Sequence, residues 1–351
     1  NFFIPKLYDI MTFKKEYKNM KLQLTLNSLA LILCCGDLIP SSTQPISTQE
    51  WQEIEKKLKS AHKEPSMITG MSIDTLTQII GLDEFTAHKI EKRQKLLPDL
   101  FYALQNLENQ DIGVTTIYEE DYPASLRVLG TKMPLVISYI GDLSLSYGVN
   151  ISVAGPQMMN KTMRHVTKEI MKKISKEGYT VVVGGSKGVE ELALRTQLTN
   201  NGNAVLFVAD HMFDKIRLYS KYIKQNKLVI MTANDPYALF DVTHALDKNL
   251  YICGMVFAQI VTGTHIGSGP VWFTSIQNIH SHWTRQLVYE TLDYSGNIRL
   301  IEMGEAHFTD EDLKSEVTLA EILDNHETVI KKDDPSIDQM TIFEFIEDKH
   351  E

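Results

Sequence analysis

The chain has 351 residues, of which 43% are hydrophobic and 23% charged, a composition typical of a soluble globular protein of about two domains. Its three cysteines, Cys34, Cys35 and Cys253, show neither metal-ligand spacing nor a disulfide framework. A zinc module and a secreted disulfide scaffold are therefore excluded, and a reducing cytoplasm is the expected location. The net charge of −10 is uneven, because residues 302–351 carry 16 acidic and 4 basic side chains and the rest of the chain is close to neutral.

The first zone of the chain, residues 21–112, is predicted to be a small helical domain. Its longest apolar run, residues 26–35 ("LNSLALILCC"), is too short to cross a bilayer, which needs about 20 residues, and therefore predicts a buried helix. A second helix is predicted in "TQEWQEIEKKLKSA", whose apolar residues recur at helical spacing. The later segment "TQIIGLDEFTAHKI" resembles a helical hairpin of the sterile-alpha-motif (SAM) kind. Residues 1–20 precede this zone, and we interpret them as a leader or a disordered segment.

The second zone, residues 113–304, alternates apolar strands with helices. Seven strands are predicted, in "PLVISYIG", "NISVAG", "YTVVVGG", "NAVLFVA", "KLVIMT", part of "ICGMVFAQIV", and "GNIRLIEMG". Two helices are predicted within the same zone, at about residues 160–177 and 189–200. Continuous apolar strands separated by helices indicate a parallel sheet that is covered on both faces. The predicted fold class is α/β, a doubly wound, mostly parallel Rossmann-like sheet preceded by the small helical domain.

The third zone, residues 305–351, is an acidic C-terminal tail. Within it, "TLAEILDNHETVI" and "MTIFEFIEDKHE" predict short helices. A solvated terminus is the simplest interpretation of the charge of this tail. The alternatives are that the tail shields a basic groove or docks on a basic partner.

Two of the predicted strands end in glycine turns, at Gly155 and at residues 184–188 ("GGSKG"), and a third glycine cluster, residues 263–275, follows the sixth strand. Glycine permits a positive φ and a close backbone approach, and the helix that follows offers unpaired N–H groups to an anion. Lys187 adds a positive charge to the second turn. Because ligands of doubly wound sheets bind at the carboxyl ends of the strands, the three turns predict one groove for a sugar-phosphate backbone or a nucleotide. Tight packing of strand against helix is the alternative.

No enzyme signature accompanies these turns, and neither a catalytic residue, a metal nor a cofactor is predicted. The chain has no Walker A loop, and neither turn is a G-x-G-x-x-G fingerprint. His280 and His282 lack a carboxylate or a cysteine at ligand spacing, which favours packing or surface positions over a metal site. Asp210 is expected to cap the next helix rather than to perform acid–base chemistry with His211. Core packing is favoured over base stacking for Trp272, Phe273 and Trp283.

The order of these features resembles the DprA/Smf family of DNA-processing proteins. "ISVAGPQ" stands where the family has an apolar strand followed by Gly, Ser and Arg, and "VVGGSKGVEELALRTQL" stands at its second glycine motif. "KNLYICGM" resembles the family's Arg-Asn-Arg segment, and "SGPVWFT" resembles its Ser-Gly and Thr element. The resemblance covers about residues 70–304. In the leading segment "EEDYPASLRVLGTKMPLVISYIG", the positions that match the family are Tyr122, Pro123, Leu126, Pro134 and Gly141.

The resemblance implies a cytoplasmic protein that binds single-stranded DNA without enzymatic turnover and has no membrane segment. It further implies a homodimer that hands the strand to a RecA-type recombinase in DNA recombination and competence. Some DprA-like proteins resemble members of phage-defence or toxin–antitoxin pairs, which makes such a partner a second expectation. The residues implied in DNA or phosphate binding are Gly155, Gln157, Gly184, Gly185, Ser186, Lys187, Gly188, Lys248, Asn249, Ser268 and Gly269.

The chain departs from the family pattern at charged positions of the implied groove. Gln157 stands in place of an arginine and Pro156 in place of a serine, and Leu250 replaces the second arginine of the Arg-Asn-Arg segment. The family's histidine position in the second glycine motif is Leu194. Each lost phosphate contact weakens binding and its salt dependence. Two alternative functions therefore stay open, namely a regulatory interaction protein on a Rossmann scaffold and a protein that senses or hydrolyses a nucleotide ligand.

Overall fold

The computed structural model of the protein describes residues 22–314 and 316–325. The predicted leader and the second predicted helix of the tail lie outside the described residues. A 3-10 helix (Pro65–Gly70) and a short π-helical turn (Thr75–Ile79) lie between the second and third α-helices of the amino-terminal region. The α-helices predicted for this region are present, and they are α1 (Leu26–Cys35), α2 (Thr48–Ser60), α3 (Glu84–Gln94) and α4 (Leu97–Glu108).

Side-chain caps fix where these helices begin. The Thr25 hydroxyl accepts a hydrogen bond from the amide three residues later at the start of α1. Ser47 and Glu50 form a reciprocal capping box at the start of α2. The Asp83 carboxylate accepts from the amide three residues later, at 2.9 Å, at the start of α3. These contacts satisfy amides that have no partner within the helix, and losing one such cap costs about 1 kcal/mol.

Helix α1 is buried, as its apolar sequence predicts. Residues 28–34 are all buried, and the helix shares one apolar core with residues of α2, α3 and α4. The Arg93 side chain of α3 is 1% exposed and closes the end of α1. It donates to the carbonyl oxygens of Leu33 (2.6 Å), Gly36 (2.6 Å) and Thr43 (3.0 Å). Within the described ranges, no helix has both the length and the apolar content that a membrane crossing requires.

The described residues of the second zone, together with Ala306–Phe308 of the third, form one nine-stranded sheet, in the order β1-β2-β6-β5-β4-β3-β7-β8-β9. β1 and β2 pair antiparallel, β2 is antiparallel to β6, and all other neighbours are parallel. The chain winds outward from β3 in both directions, which makes the edge above β3 a topological switch point where ligands bind in such folds. The strands are β1 (Gly113–Thr116), β2 (Val136–Ile140), β3 (Asn150–Ala154), β4 (Thr180–Val183), β5 (Ala204–Phe207), β6 (Leu228–Thr232), β7 (Ala258–Val261), β8 (Arg285–Tyr289) and β9 (Ala306–Phe308).

Helices cover both faces of the sheet, so the fold class is α/β and Rossmann-like, as predicted. On one face, α5, α6 and α7 bury an apolar cluster that includes Ile151, Val181 and Val183. On the other face, α8 and the amino-terminal helices share one continuous core with Val182 and Phe207. The helices of this region are α5 (Lys161–Lys176), α6 (Val189–Thr199), α7 (Met212–Lys224), α8 (Val242–Met255), α9 (Gly269–Ser281), α10 (Ser295–Glu302) and α11 (Leu319–Asn325).

The predicted seventh strand, "GNIRLIEMG", is wrong, because this segment forms α10. Asn297 and Leu300 are both fully buried, and their spacing of three residues places them on one face of a helix. The sheet position is taken instead by β8, whose first two residues, Arg285 and Gln286, are polar and obscure the strand pattern. Only the last four residues of "ICGMVFAQIV" form β7, while its first four end α8.

The last described helix, α11, is held against the far end of α5. Lys173 Nζ donates to the Lys314 carbonyl oxygen at 2.6 Å. The Glu177 carboxylate, at the carboxyl-terminal cap of α5, accepts from the first two amides of α11 at 2.5 and 3.1 Å. Because α5 starts beside the carboxyl ends of the strands and has 16 residues, it is about 24 Å long. The start of α11 therefore lies at the opposite end of the sheet from the glycine turns.

Candidate functional site

Three glycine turns meet at one edge of the sheet, at the carboxyl ends of β4, β3 and β7, which are neighbours in that order. We call these turns together the glycine rim, which comprises residues 155–157, 184–188 and 263–269. A cavity of about 560 Å³ opens between them. Its walls come from the first and third turns, from Ser186 and Glu190, and from α8. The rim thus brings together turns that are more than 100 residues apart along the chain.

The first two turns pack tightly on each other. A Cβ atom on Gly155 would lie 2.3 Å from the Thr262 hydroxyl oxygen. Gly188 has a φ of +88°, and a Cβ atom there would lie 2.4 Å from the carbonyl oxygens of Pro156 and Gln157. No side chain fits at either position without displacing backbone or a neighbouring strand. Packing therefore accounts for these two glycines, and their contribution to the site is the shape of the rim.

Gly184 makes room for a buried cation. A Cβ atom at this position would lie 2.3 Å from Lys248 Nζ, so only glycine permits the lysine to reach the turn. The Lys248 side chain projects from α8, is 7% exposed, and lines the cavity. Its ammonium donates to the Ser186 hydroxyl oxygen at 3.3 Å, and no carboxylate of the described residues lies within 4 Å of it. A buried ammonium without a counter-ion is costly, and an anion in the cavity would offset that cost.

Two further lysines flank the second turn. Lys187 is exposed at the tip of the turn and lies outside the cavity wall. Lys215 of α7 donates from Nζ to the Gly185 carbonyl oxygen at 3.3 Å. The sequence did not indicate Lys215, although its place in the first turn of the helix after β5 is a signal that could have found it. The second turn consequently carries three positive charges, of which one is buried and two face solvent or the turn backbone.

The third turn opens toward solvent. Gly269 has a φ of +79°, and nothing lies within 4 Å of the position a Cβ atom would take. Ser268, which precedes it, is exposed, and together they start the 13-residue helix α9. The amino end of such a helix offers unpaired amides and a partial positive charge. This turn can therefore approach a ligand more closely than the packed Gly155 or Gly188.

The remaining predicted contacts are polar and uncharged. Gln157 is exposed and Asn249 is half-buried, and both line the cavity. Glu190, at the start of α6, accepts a hydrogen bond from the Ser186 amide at 2.9 Å. This hydrogen bond stabilises the second turn. The negative charge of Glu190 therefore offsets the charges of the adjacent lysines less than its position in the sequence suggests.

The other predicted candidates take structural places. Asp210 does not cap α7, because its carboxylate pairs with His211 Nδ1 at 2.7 Å and His211 occupies the cap position without a side-chain hydrogen bond. Trp272 lies in the core at 8% exposure, whereas Phe273 is half-buried and lines the cavity. The ring of Trp283 lies 5.4 Å from the Lys132 ammonium. No group of three or more potential metal ligands occurs among the described residues.

Known proteins resemble this chain over the region that carries the glycine rim. The family model described as DNA recombination-mediator protein A matches residues 113–312. The X-ray structure of DNA processing protein A (DprA) from Streptococcus pneumoniae is 16% identical, with a TM-score of 0.66, over 87% of this chain and 99% of that one. DNA processing protein A from Helicobacter pylori, whose structure concerns its single-stranded DNA binding mode, is 15% identical, with a TM-score of 0.50, over 61% of this chain and 97% of that one. No curated protein sequence matches the chain.

Proposed function

Because the chain belongs to the DNA recombination-mediator protein A family, we propose that it binds single-stranded DNA at the glycine rim. The observation that carries this proposal is the meeting of three glycine turns around a cavity that holds a buried, unpaired ammonium, that of Lys248. The structural relative from Helicobacter pylori binds single-stranded DNA, which supports the same ligand for this fold.

The hydrogen-bond donors of the rim suit contacts with the phosphate backbone of a strand rather than recognition of its base sequence. Amides at the amino end of α9 and the ammonium groups of Lys187, Lys215 and Lys248 supply donors for phosphate oxygens. The affinity of single strands changes with salt by a slope of about −0.7 per phosphate neutralised, so three lysines give a slope of about −2. Binding is therefore expected to be weaker and less salt-sensitive than that of a groove that keeps the arginine replaced here by Gln157.

The absence of turnover, the oligomeric state and the partner are proposed on the basis of the same family membership. We propose that binding occurs without turnover, that the protein acts as a homodimer, and that it passes the strand to a RecA-type recombinase. A role beside a partner protein in a defence or toxin–antitoxin pair is consistent with the reduced charge of the rim.

The test is a fluorescence titration of a labelled oligodeoxythymidine with the full chain. Lys187→Glu reverses an exposed charge at the rim and should weaken binding at least tenfold at low salt, because it removes one phosphate contact and repels a second. Lys59→Glu makes the same charge change on exposed α2, far from the rim, and serves as the matched control. Equal affinities of the two variants would place the DNA site elsewhere.

A second candidate function, a regulatory interaction through the acidic tail, is favoured by one observation. Lys173 and Glu177 hold α11 at the end of α5 away from the rim, so the tail starts on a different side of the molecule from the candidate DNA site. Removing residues 326–351 should then abolish capture of a basic protein partner and leave the oligonucleotide affinity unchanged. A rise in oligonucleotide affinity after truncation would instead support the alternative in which the tail shields the rim.

A further inference from the structure

A row of polar side chains crosses the middle of the sheet beneath the glycine rim. Ser152 of β3 pairs in register with Gln259 of β7, and Gln259 pairs with Gln286 of β8. All three residues are at most 3% exposed. Interior strands of a doubly wound sheet are ordinarily continuous apolar runs, as β4, β5 and β6 are here. The row is therefore an exception to this pattern on β3, β7 and β8.

These buried polar groups are incompletely satisfied. The Ser152 hydroxyl and Gln286 Nε2 have no hydrogen-bond partner among the described residues. Gln259 Nε2 donates to Gln286 Oε1 at a long 3.4 Å. An unsatisfied buried group costs about 1–3 kcal/mol, so such groups are rare unless a ligand or water completes them.

Two members of the row, Ser152 and Gln259, form the floor of the cavity at the rim. Its sides include the apolar side chains of Ile252 of α8 and Phe273 of α9. Along β3, Gly155 lies three residues beyond Ser152, a distance of about 10 Å at 3.3 Å per residue. The cavity thus runs from the cationic rim, past apolar side chains, to a floor whose polar groups can form further hydrogen bonds.

We propose that this cavity binds a nucleoside 5′-monophosphate. The base lies between the apolar walls and on the floor, where the Gln259 amide offers both a donor and an acceptor and Ser152 offers a hydroxyl. The phosphate lies at the Lys248 ammonium and the Ser186 hydroxyl, which both line the cavity. One buried cation matches one phosphate group, whereas a strand presents a repeating charge along the rim. The floor distinguishes this site from the rim surface on which the proposed strand binding depends.

A nucleotide unit could also enter the cavity as part of a strand, and the experiment separates the two sources. Thermal shift and calorimetry of the full chain are measured with 5′-AMP, 5′-GMP, 5′-CMP and 5′-UMP, with ribose 5-phosphate, and with the oligodeoxythymidine. A ligand that binds only the folded state raises the melting temperature in proportion to the logarithm of its concentration over Kd. At least one monophosphate is expected to bind, and to bind at least tenfold more tightly than ribose 5-phosphate.

Three variants test the floor. Ser152→Ala and Gln259→Leu should fold, since each removes an incompletely satisfied buried polar group, and should weaken monophosphate binding at least tenfold. Ser138→Ala is the matched control, because Ser138 is also a buried strand serine without a hydrogen-bond partner, but lies on β2 outside this cavity. Lys187→Glu should weaken oligonucleotide binding by a larger factor than monophosphate binding, because Lys187 lies outside the cavity wall, so the two proposals fail separately.

Three results would overturn the monophosphate site. The first is no binding of any of the four monophosphates at saturating concentration by folded protein. The second is equal binding of ribose 5-phosphate, which would show a phosphate site without base recognition. The third is a loss of oligonucleotide binding alone in the Ser152 and Gln259 variants, which would assign the floor to a base of the strand.

Discussion

Two buried cations of this protein differ in how far their hydrogen-bond donors are satisfied. In the helical region, Arg93 is 1% exposed and donates to three backbone carbonyl oxygens at 2.6 to 3.0 Å. In the sheet, Lys248 is 7% exposed and has one 3.3 Å hydrogen bond, to a serine hydroxyl. A buried charge whose nitrogens all donate to the backbone serves the fold, whereas a buried ammonium with one long hydrogen bond points to a ligand.

The largest change in stability is expected from replacing Arg93, the cation that donates to three backbone carbonyl oxygens. Arg93→Met leaves three carbonyl oxygens at the end of α1 and in the following loop without their donor, so the free energy of unfolding should fall by about 3–4 kcal/mol. Equilibrium urea denaturation of the full chain measures this change. A loss below about 1 kcal/mol would remove the contrast between the two cations, because the arginine would then be as dispensable to the fold as the lysine.

The sheet region also buries a carboxylic acid, which can be compared with the two buried cations. Glu305, just before β9, is 9% exposed, its carboxyl group has no hydrogen bond or ion pair among the described residues, and burial raises its pKa to about 7. The folded state therefore retains this proton between pH 4.5 and about 7, and stability declines as the pH rises through that interval. Glu305→Gln should remove this decline and raise the free energy of unfolding at pH 8 by about 3 kcal/mol relative to the parent chain.

Denaturation at pH 5 and pH 8 checks that expectation. The substitution should have little effect at pH 5, where the carboxyl is already protonated in the folded protein. A stabilisation that is equal at both pH values would mean that the carboxylate is solvated and that Glu305 is not an unsatisfied acid.

Lys248→Met sharpens the contrast with Arg93. Replacing an unpaired buried ammonium by an apolar chain of similar length should leave the stability unchanged or raise it by up to about 1 kcal/mol. The same change should weaken binding of the oligonucleotide at least tenfold, which corresponds to about 1.4 kcal/mol. Parallel denaturation and titration distinguish these results. A large loss of stability with unchanged binding would make Lys248 a structural residue like Arg93.

Part of this architecture could be predicted from the sequence because it is local. The glycine turns follow apolar strands directly, and parallel strands bring their carboxyl ends to one edge, so the rim was predictable. The segment "GNIRLIEMG" was misread because its apolar residues satisfy both a strand and a helix pattern, and only the buried pair Asn297 and Leu300 decides for a helix.

The cavity itself could not be predicted, because it depends on long-range register. Ser152 and Gln259 are 107 positions apart, and only the pairing of β3 with β7 places them side by side on the floor. Lys248 was identified from its place in a family-like segment, but its reach under Gly184 depends on how α8 lies over β3 and β4. Likewise, the contact of Lys215 with the second turn follows from the packing of α7.

The most direct test of the rim as a DNA site is the salt dependence of oligonucleotide affinity. The logarithm of the association constant is plotted against the logarithm of the salt concentration for the parent chain and for Lys187→Glu. Three rim lysines predict a slope of about −2 for the parent chain and a shallower slope, by about 0.7, for the variant. No binding by folded protein at low salt, or a slope that Lys187→Glu leaves unchanged, would contradict a DNA site at the glycine rim.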